Sequence, residues 1–285
     1  MASKKTKRVV KPKPKKMKPK SKRMKLKLKK ASAKAIPKSR KITAAKRSLS
    51  RLLPTGSPDF DRLLGGGIEE GSALLILGVP HCGKKPTLMN AAHTECCKNN
   101  RPVIFVLTDV GAAAWQSMMK QGGWDCGKVK DRTFFIDGYS QQFGTCSNSD
   151  AILCLEVPFS LSALSIQTSN FIEKASGMKK KPMVILHSVS TLIEMFGEEE
   201  TFRFLQFFIG KLRSTGVTVL LSMQMGVHGA KFESATTSVV DCLVEMKDGR
   251  MRASGYLGIQ NKEWISYSIE KGKLKLRAES SEQKR

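Results

Sequence analysis

The chain has 285 residues, 40% of them hydrophobic, 26% charged and seven of them cysteine, with a formal net charge of +26. No run of about 18 apolar residues occurs, which excludes a membrane-spanning helix. No C-x-x-C pair and no His/Cys group with zinc-finger spacing occurs either, so no metal ligand set is expected, and the seven cysteines are expected as reduced thiols in a cytosolic-type compartment.

The charge is concentrated at one end. Residues 1–50 hold 22 of the 50 Lys and Arg residues and none of the 24 Asp and Glu, while the other 235 residues net only +4. This segment has almost no aromatic or branched apolar content and carries Pro12, Pro14, Pro19 and Pro37. It cannot bury enough apolar surface to offset chain entropy, so a disordered Lys-rich tail is expected. It lacks the apolar core of a secretory signal and the Arg/Ser bias of an organelle transit peptide. A polycation of this density neutralises phosphates and releases counterions, which points to DNA or RNA bound without sequence preference. A membrane surface is the second reading, without an amphipathic face or lipidation signal behind it. A solubilising tail or localisation address is the third. Cytoplasm or nucleoid, or the nucleus in a eukaryote, is the expected setting.

Residues 51–285 suit one α/β domain. In chain order, residues 72–77 form a short apolar run ending at Gly78, read as a buried strand entering a loop. A helix follows over 84–97, with Pro86 tolerated in its first turn. Strands are expected at 102–107, 133–136, 183–186 and 217–222, and helices at 112–121, 161–175 and 198–214. This alternation implies a mostly parallel sheet flanked by helices. Shorter runs at 241–246, 250–259, 264–269 and 274–276, with Asp248-Gly249 and Lys271-Gly272 between neighbours, predict an antiparallel β extension at one sheet edge. Trp115, Trp124 and the Phe204, Leu205, Phe208, Leu212 stripe read as packing or subunit contact. The basic turn Lys179, Lys180, Lys181 reads as a solvated loop.

The chemistry sits after the first of these strands. Gly78, Val79, Pro80, His81, Cys82, Gly83, Lys84 and Lys85 match G-x-x-x-x-G-K-[ST] except at the last place. Glycines and backbone N–H groups of such a loop cradle phosphate oxygens, and Lys84 would meet the β/γ-phosphates. The hydroxyl that would hold Mg²⁺ is replaced by Lys85. Pro86 and Thr87 follow, and Thr87 is the one nearby hydroxyl that could stand in. His81 beside Cys82 is a metal pair too small to make a site.

Several segments together resemble the RecA superfamily of P-loop ATPases, most of all its KaiC-like and archaeal RadA-related branch. They are the entry at 54–72 with its Gly65-Gly66-Gly67-Ile68, the phosphate loop, Gly123-Trp124-Asp125, residues 135–137, 184–192 and 217–224. The resemblance covers residues 53–276 and implies a RecA-like fold, a nucleotide such as ATP as cofactor, and self-association. It also implies that the fourth strand of the alternation should end in a metal-holding Asp, where this chain has His187. It implies a water-activating Glu at the end of the second, where Asp109 is the candidate. It places Gln224 as a nucleotide-sensing residue, and Asn261 or Lys262 where a cation reaches a neighbouring subunit's γ-phosphate. Two metal positions have therefore become basic, and Mg²⁺ is not expected.

Three functions remain open. The two changed metal positions favour a degenerate nucleotide-binding module with little or no hydrolysis, tethered to nucleic acid by its tail and nucleoid-associated or regulatory. The second is a Mg²⁺-dependent ATPase of recombination, repair or signalling, using Lys84, Thr87, Asp109 and Gln224. The third is a domain that binds a protein partner, carried on a DNA-binding tail.

Overall fold

The computed structural model describes residues 51–256, 263–270 and 272–277. The Lys-rich tail expected at 1–50, and Ile259, Asn261 and Lys262, lie outside the described residues.

The entry segment forms β1 (Leu52–Leu53), α1 (Pro58–Leu63) and β2 (Ile68–Glu69). The alternating core follows as β3 (Ala73–Gly78), α2 (Lys84–His93), β4 (Val103–Leu107), α3 (Ala112–Gln121), β5 (Thr133–Asp137), β6 (Ile152–Cys154), α4 (Leu161–Lys174), β7 (Met183–His187), α5 (Val189–Phe196), α6 (Glu198–Ser214), β8 (Thr218–Gln224) and α7 (Ala230–Ser238). The chain then turns to β9 (Cys242–Lys247), β10 (Arg250–Ser254), β11 (Ile265–Glu270) and β12 (Lys273–Leu276). Among the described residues one ten-stranded sheet forms, in the order β12-β11-β10-β9-β3-β8-β7-β4-β5-β6. The seven strands from β9 to β6 in that order run parallel, and β10, β11 and β12 add antiparallel at one edge.

The central strands are apolar throughout because helices cover both of their faces. Residues of alternate parity serve opposite sides. Leu74, Ile76, Phe105 and Ile185 pack with Leu88 and Met89 of α2 and Trp115 and Met119 of α3. Leu75, Leu77, Ile104 and Val106 pack with Leu164 of α4, Leu192 of α5, and Leu205 and Phe208 of α6. Helix α6 also has Glu198, Glu199 and Glu200 in its first turn and Lys211 and Arg213 in its last, the arrangement that its dipole favours.

The expected strands and helices are present with boundaries shifted by a residue or two, and four differences matter. The helix expected to run to residue 97 changes geometry at residue 94, where Thr94–Lys98 forms a π-helix. The strand expected over 250–259 ends at Ser254, and α5, α7 and β6 were not anticipated. Cys146 and Cys154 are joined in a disulfide with Cα atoms 6.0 Å apart, which overturns the expectation of seven reduced thiols. The pairing of Cys154 with Asp137 on β5 and the return of the loop from residue 140 put the two cysteines within bridging distance.

Strands β3 and β4 are consecutive in the chain but are separated in the sheet by β8 and β7. The loops leaving the carboxyl ends of these four strands therefore diverge around a crevice, where open α/β sheets place their ligands.

Candidate functional site

The loop between β3 and α2 sits at that crevice. Gly78 pairs in register with Gln224 at the end of β8 and with Met246 of β9. Gly78 admits no side chain, since a Cβ there would lie 2.6 Å from Cys82 Sγ and 2.8 Å from the Met246 carbonyl. Gly83 has φ +101 and caps α2 without a side-chain hydrogen bond, and the first turn of α2 has no acidic residue. The positive end of the helix thus faces the loop with nothing from its own sequence to neutralise it. Lys84 folds back into the loop, its Nζ donating to the carbonyls of Gly78 and, at 2.8 Å, of Val79. Burial, and secondarily Lys85, lower the Lys84 pKa, and burial raises that of the Cys82 thiol. Strand β11 braces the loop from outside. Tyr267 donates its hydroxyl proton to the Cys82 carbonyl, and a Cβ on Gly83 would lie 2.0 Å from Ile269 Cδ1.

The second half of the site collects three residues from three elements. Asp109, just beyond β4, has its Oδ2 3.5 Å from Lys85 Nζ and 3.2 Å from Nε2 of His187, the last residue of β7. Burial alone would raise the Asp109 carboxyl, but His187 and Lys85 outweigh it and hold the group below the ordinary carboxylate value. His187 is 3% exposed, and burial lowers its pKa against the opposing pull of Asp109, so it is neutral at pH 7. Its Nδ1 bonds to the Ser222 hydroxyl, and the Trp115 ring lies across it at 5.0 Å between centroids. Its Nε2 is close to Asp109 but not aligned for a hydrogen bond. That atom, Asp109 Oδ1 and Trp115 Nε1 are buried with no hydrogen-bond partner among the described residues.

A phosphate suits the left-handed glycine, the uncapped helix end and the loop lysine. Mg²⁺, which takes oxygen ligands, does not fit. Position 85 presents an ammonium group, and position 187 presents an imidazole. The hydroxyl of Thr87, the candidate substitute, donates to the Gly83 carbonyl at 2.9 Å and is turned away from the loop mouth. The adjacent carboxylate, Asp109, already faces two basic side chains. His81 has φ +59 at the loop tip. Pro86 occupies the first turn of α2, where it disrupts no hydrogen bond.

Gln224 is paired in register with Gly78 at the start of the loop, and Asp109 lies 3.5 Å from Lys85 at its end. The sequence did not reveal Ser190 and Ser222, and Trp115, read as packing, is buried in the core. Ser190 Oγ accepts from the Gln224 N–H at 2.8 Å and bonds His228 Nε2 at 2.8 Å. Each of these contacts depends on strand order, and no local motif marks it. Lys180 and Lys181 turn out to be anchored: Lys180 Nζ donates to the Asn99 carbonyl, and the Lys181 carbonyl accepts from Arg101.

Comparison with known proteins agrees with the geometry. Residues 53–262 match the sequence model described as "ATPase: KaiC". The circadian clock oscillator protein KaiC of Prochlorococcus marinus is 23% identical over 194 residues, 66% of this chain and 35% of its own. The DNA repair and recombination protein RadB of Methanosphaera stadtmanae is 29% identical over 113 residues, 39% of this chain and 47% of its own. The DNA repair protein RadA of Mycobacterium tuberculosis is 44% identical over 65 residues, 23% of this chain and 13% of its own. The chain spans less than half the length of these curated relatives. The crystal structure of a KaiC-like protein from Pyrococcus horikoshii superposes with a TM-score of 0.63 at 16% identity, covering 80% of this chain and all of the other, which shows the fold. With a family match over most of its length and a phosphate loop seated at the crevice, this chain belongs to the KaiC ATPase family.

Proposed function

We propose that this chain is a non-hydrolysing member of that family, a nucleotide-binding module held on nucleic acid by its polybasic tail. One observation carries the reading: Lys85 and His187 both stand against Asp109 in the corner where the family's pattern calls for metal ligands. Cleavage of a triphosphate depends mainly on cation placement around the transferred phosphoryl group. Here the Lys85 ammonium, 3.5 Å from the acidic side chain, takes that corner, and the site holds a phosphate chain without a metal. Residues assigned to phosphate contact are Gly78, Val79, Pro80, His81, Cys82, Gly83, Lys84 and Lys85. His187 and Gln224 line the far wall, and Pro86 and Thr87 support the helix start.

Calorimetric titration of ATP into the full chain, with Mg²⁺ and with EDTA, tests the first half. Equal affinity in both, loss of binding in Lys84→Ala and turnover at background are expected. Mg²⁺-stimulated hydrolysis that disappears in Lys84→Ala would establish the working-ATPase alternative instead.

The tail assignment rests on the +22 net charge of residues 1–50 and is supported by relatives named as DNA repair proteins. Deletion of residues 2–50 should remove nucleic-acid binding in a mobility shift. The intact chain should lose about 10³-fold or more in affinity between 50 and 200 mM salt, as expected for multiple phosphate contacts. Binding that survives the deletion unchanged refutes the tether.

A further inference from the structure

The far end of α2 carries a second cluster. At Thr94 the helix widens into the π-helix Thr94–Lys98. A π turn closes i→i+5 bonds and so rotates less per residue than an α turn. Consecutive Cys96 and Cys97 therefore present their sulfurs to one side, 3.5 Å apart. Cys126, in the turn after α3, brings a third sulfur to 3.2 Å from Cys96 and 3.9 Å from Cys97. Separations of 30 and 29 residues are why no ligand spacing shows in the sequence.

We propose that Cys96, Cys97 and Cys126 form a thiolate site for a single thiophilic d¹⁰ cation of the Zn²⁺ type. Zn–S bonds of about 2.3 Å in tetrahedral geometry place ligand sulfurs about 3.8 Å apart, and the observed separations bracket that spacing to within 0.6 Å. A disulfide needs about 2.0 Å between sulfurs, and these three cysteines are free. Adjacent residues also keep Cα atoms about 3.8 Å apart, short of the usual disulfide range, so Cys96 and Cys97 suit a shared ligand better than a bond to each other.

The walls of the site are fixed before any ion arrives. Glu95, next to Cys96, is held by buried Arg101 at 2.7 Å. Trp124 Nε1 donates to Asn90 Oδ1 at 3.1 Å, pinning the turn that presents Cys126 to the body of α2. The Val129 N–H donates to the Cys126 carbonyl at 3.0 Å. Cys126 and Asp125 also line a cleft of about 470 Å³ that reaches Lys130 and Thr133, leaving a path inward and room for a fourth ligand such as water.

Uptake by the three thiols balances as M²⁺ + 3 RSH → [M(SR)₃]⁻ + 3 H⁺, with no change of oxidation state. The bound ion would tie the end of the phosphate-loop helix to the turn after α3.

The test uses the full chain in a Cys146→Ser/Cys154→Ser background, so that the reduced pair cannot compete, and stripped of metal under reduction. Co²⁺ titration should give thiolate-to-cobalt charge-transfer bands saturating at one equivalent. Proton release should accompany the cobalt titration, and Zn²⁺ should then displace the cobalt with no further release. Cys126→Ser and Cys97→Ser should each weaken Zn²⁺ binding by more than about 100-fold, beyond the loss typical of changes in outer-shell partners. Cys82→Ser and Cys242→Ser should leave it unchanged. Should Cys126→Ser fail to fold by circular dichroism, the half-buried Cys97→Ser decides. Three results would overturn the site: no stoichiometric zinc on the parent protein, zinc binding indifferent to both ligand variants, or a Cys96–Cys126 disulfide on mild oxidation in a protein that takes up no metal.

Discussion

Two clusters of charge in this molecule look alike on paper and differ in one respect. Around Arg101, Nε meets Glu95 at 2.7 Å, Nη2 meets Glu70 at 2.6 Å and Nη1 meets the Lys181 carbonyl at 2.5 Å. Asn99 donates to the other Glu95 oxygen at 2.6 Å. Around Asp109 the charges pair, but Asp109 Oδ1, His187 Nε2 and Trp115 Nε1 stay buried without partners among the described residues. An unmet buried polar atom costs about 1–3 kcal/mol. A closed network fixes the chain, here the π turn and the loop before β4. An open one is an exception among buried polar groups and marks the corner on which the proposed phosphate site rests.

The comparison breaks most readily at its closed end. Arg101→Met leaves Glu95 as a buried, uncompensated carboxylate and should cost about 3–5 kcal/mol. Adding Glu95→Gln should recover part of that in the same thermal unfolding assay. A single-variant loss within about 1 kcal/mol would show that the pair is not structural.

The open end should change ligand preference rather than stability. Lys85→Ser combined with His187→Asp restores a hydroxyl and a carboxylate at the two metal positions. Mg²⁺ should then tighten ATP binding at least about tenfold, or about 1.4 kcal/mol, while leaving the parent protein indifferent. A parent that already responds equally to Mg²⁺ would contradict the difference drawn between the two clusters.

A smaller effect is a slope in pH. The folded pKa of His187 lies below its unfolded value because burial excludes the charged form. Its contribution is therefore neutral above the unfolded value of about 6.5. Below it the unfolded chain takes up a proton that the folded chain refuses, and stability falls. Asp109, also depressed, adds a loss only at more acidic pH, as the pH drops through its folded value. The melting temperature should fall between pH 7.5 and 5.5, and His187→Gln should flatten that fall. The residual slope would belong to His93, whose pKa burial also lowers. An identical slope in the variant would remove His187 from the account.

The smallest effect concerns the half-exposed ion pair. Lys85 and Asp109 are 38% and 29% exposed and 3.5 Å apart, so solvent screens them, and Lys85→Met should shift stability by under about 1 kcal/mol. A loss as large as that of Arg101→Met would erase the distinction between the two clusters.

Much of the fold was legible residue by residue. Continuous apolar runs marked the central strands, Asp248-Gly249 marked the reversal between β9 and β10, and Gly272 fell between β11 and β12. The misses have physical causes. Strand β6 is three residues long and half-buried, too short for a periodic signal. Helix α5 has only eight residues and follows β7 after a single residue, too short a run to show helical periodicity. The π turn is stabilised by Arg101 reaching back to Glu95, a contact that helix periodicity does not register.

By itself the sequence gathered the positive charge at one end, carried a phosphate-loop pattern, and resembled a KaiC-type α/β domain, with Lys85 and His187 where that resemblance places metal ligands. The charge is a matter of composition, the loop of local spacing, and the rest of short segments that resemble a family's pattern. Only the tertiary structure decided that Lys85 and His187 converge on Asp109, that Thr87 turns its hydroxyl into its own helix, and that cysteines 30 residues apart meet within 4 Å. Those outcomes follow from strand order and helix geometry, which join residues that no short stretch of chain places side by side.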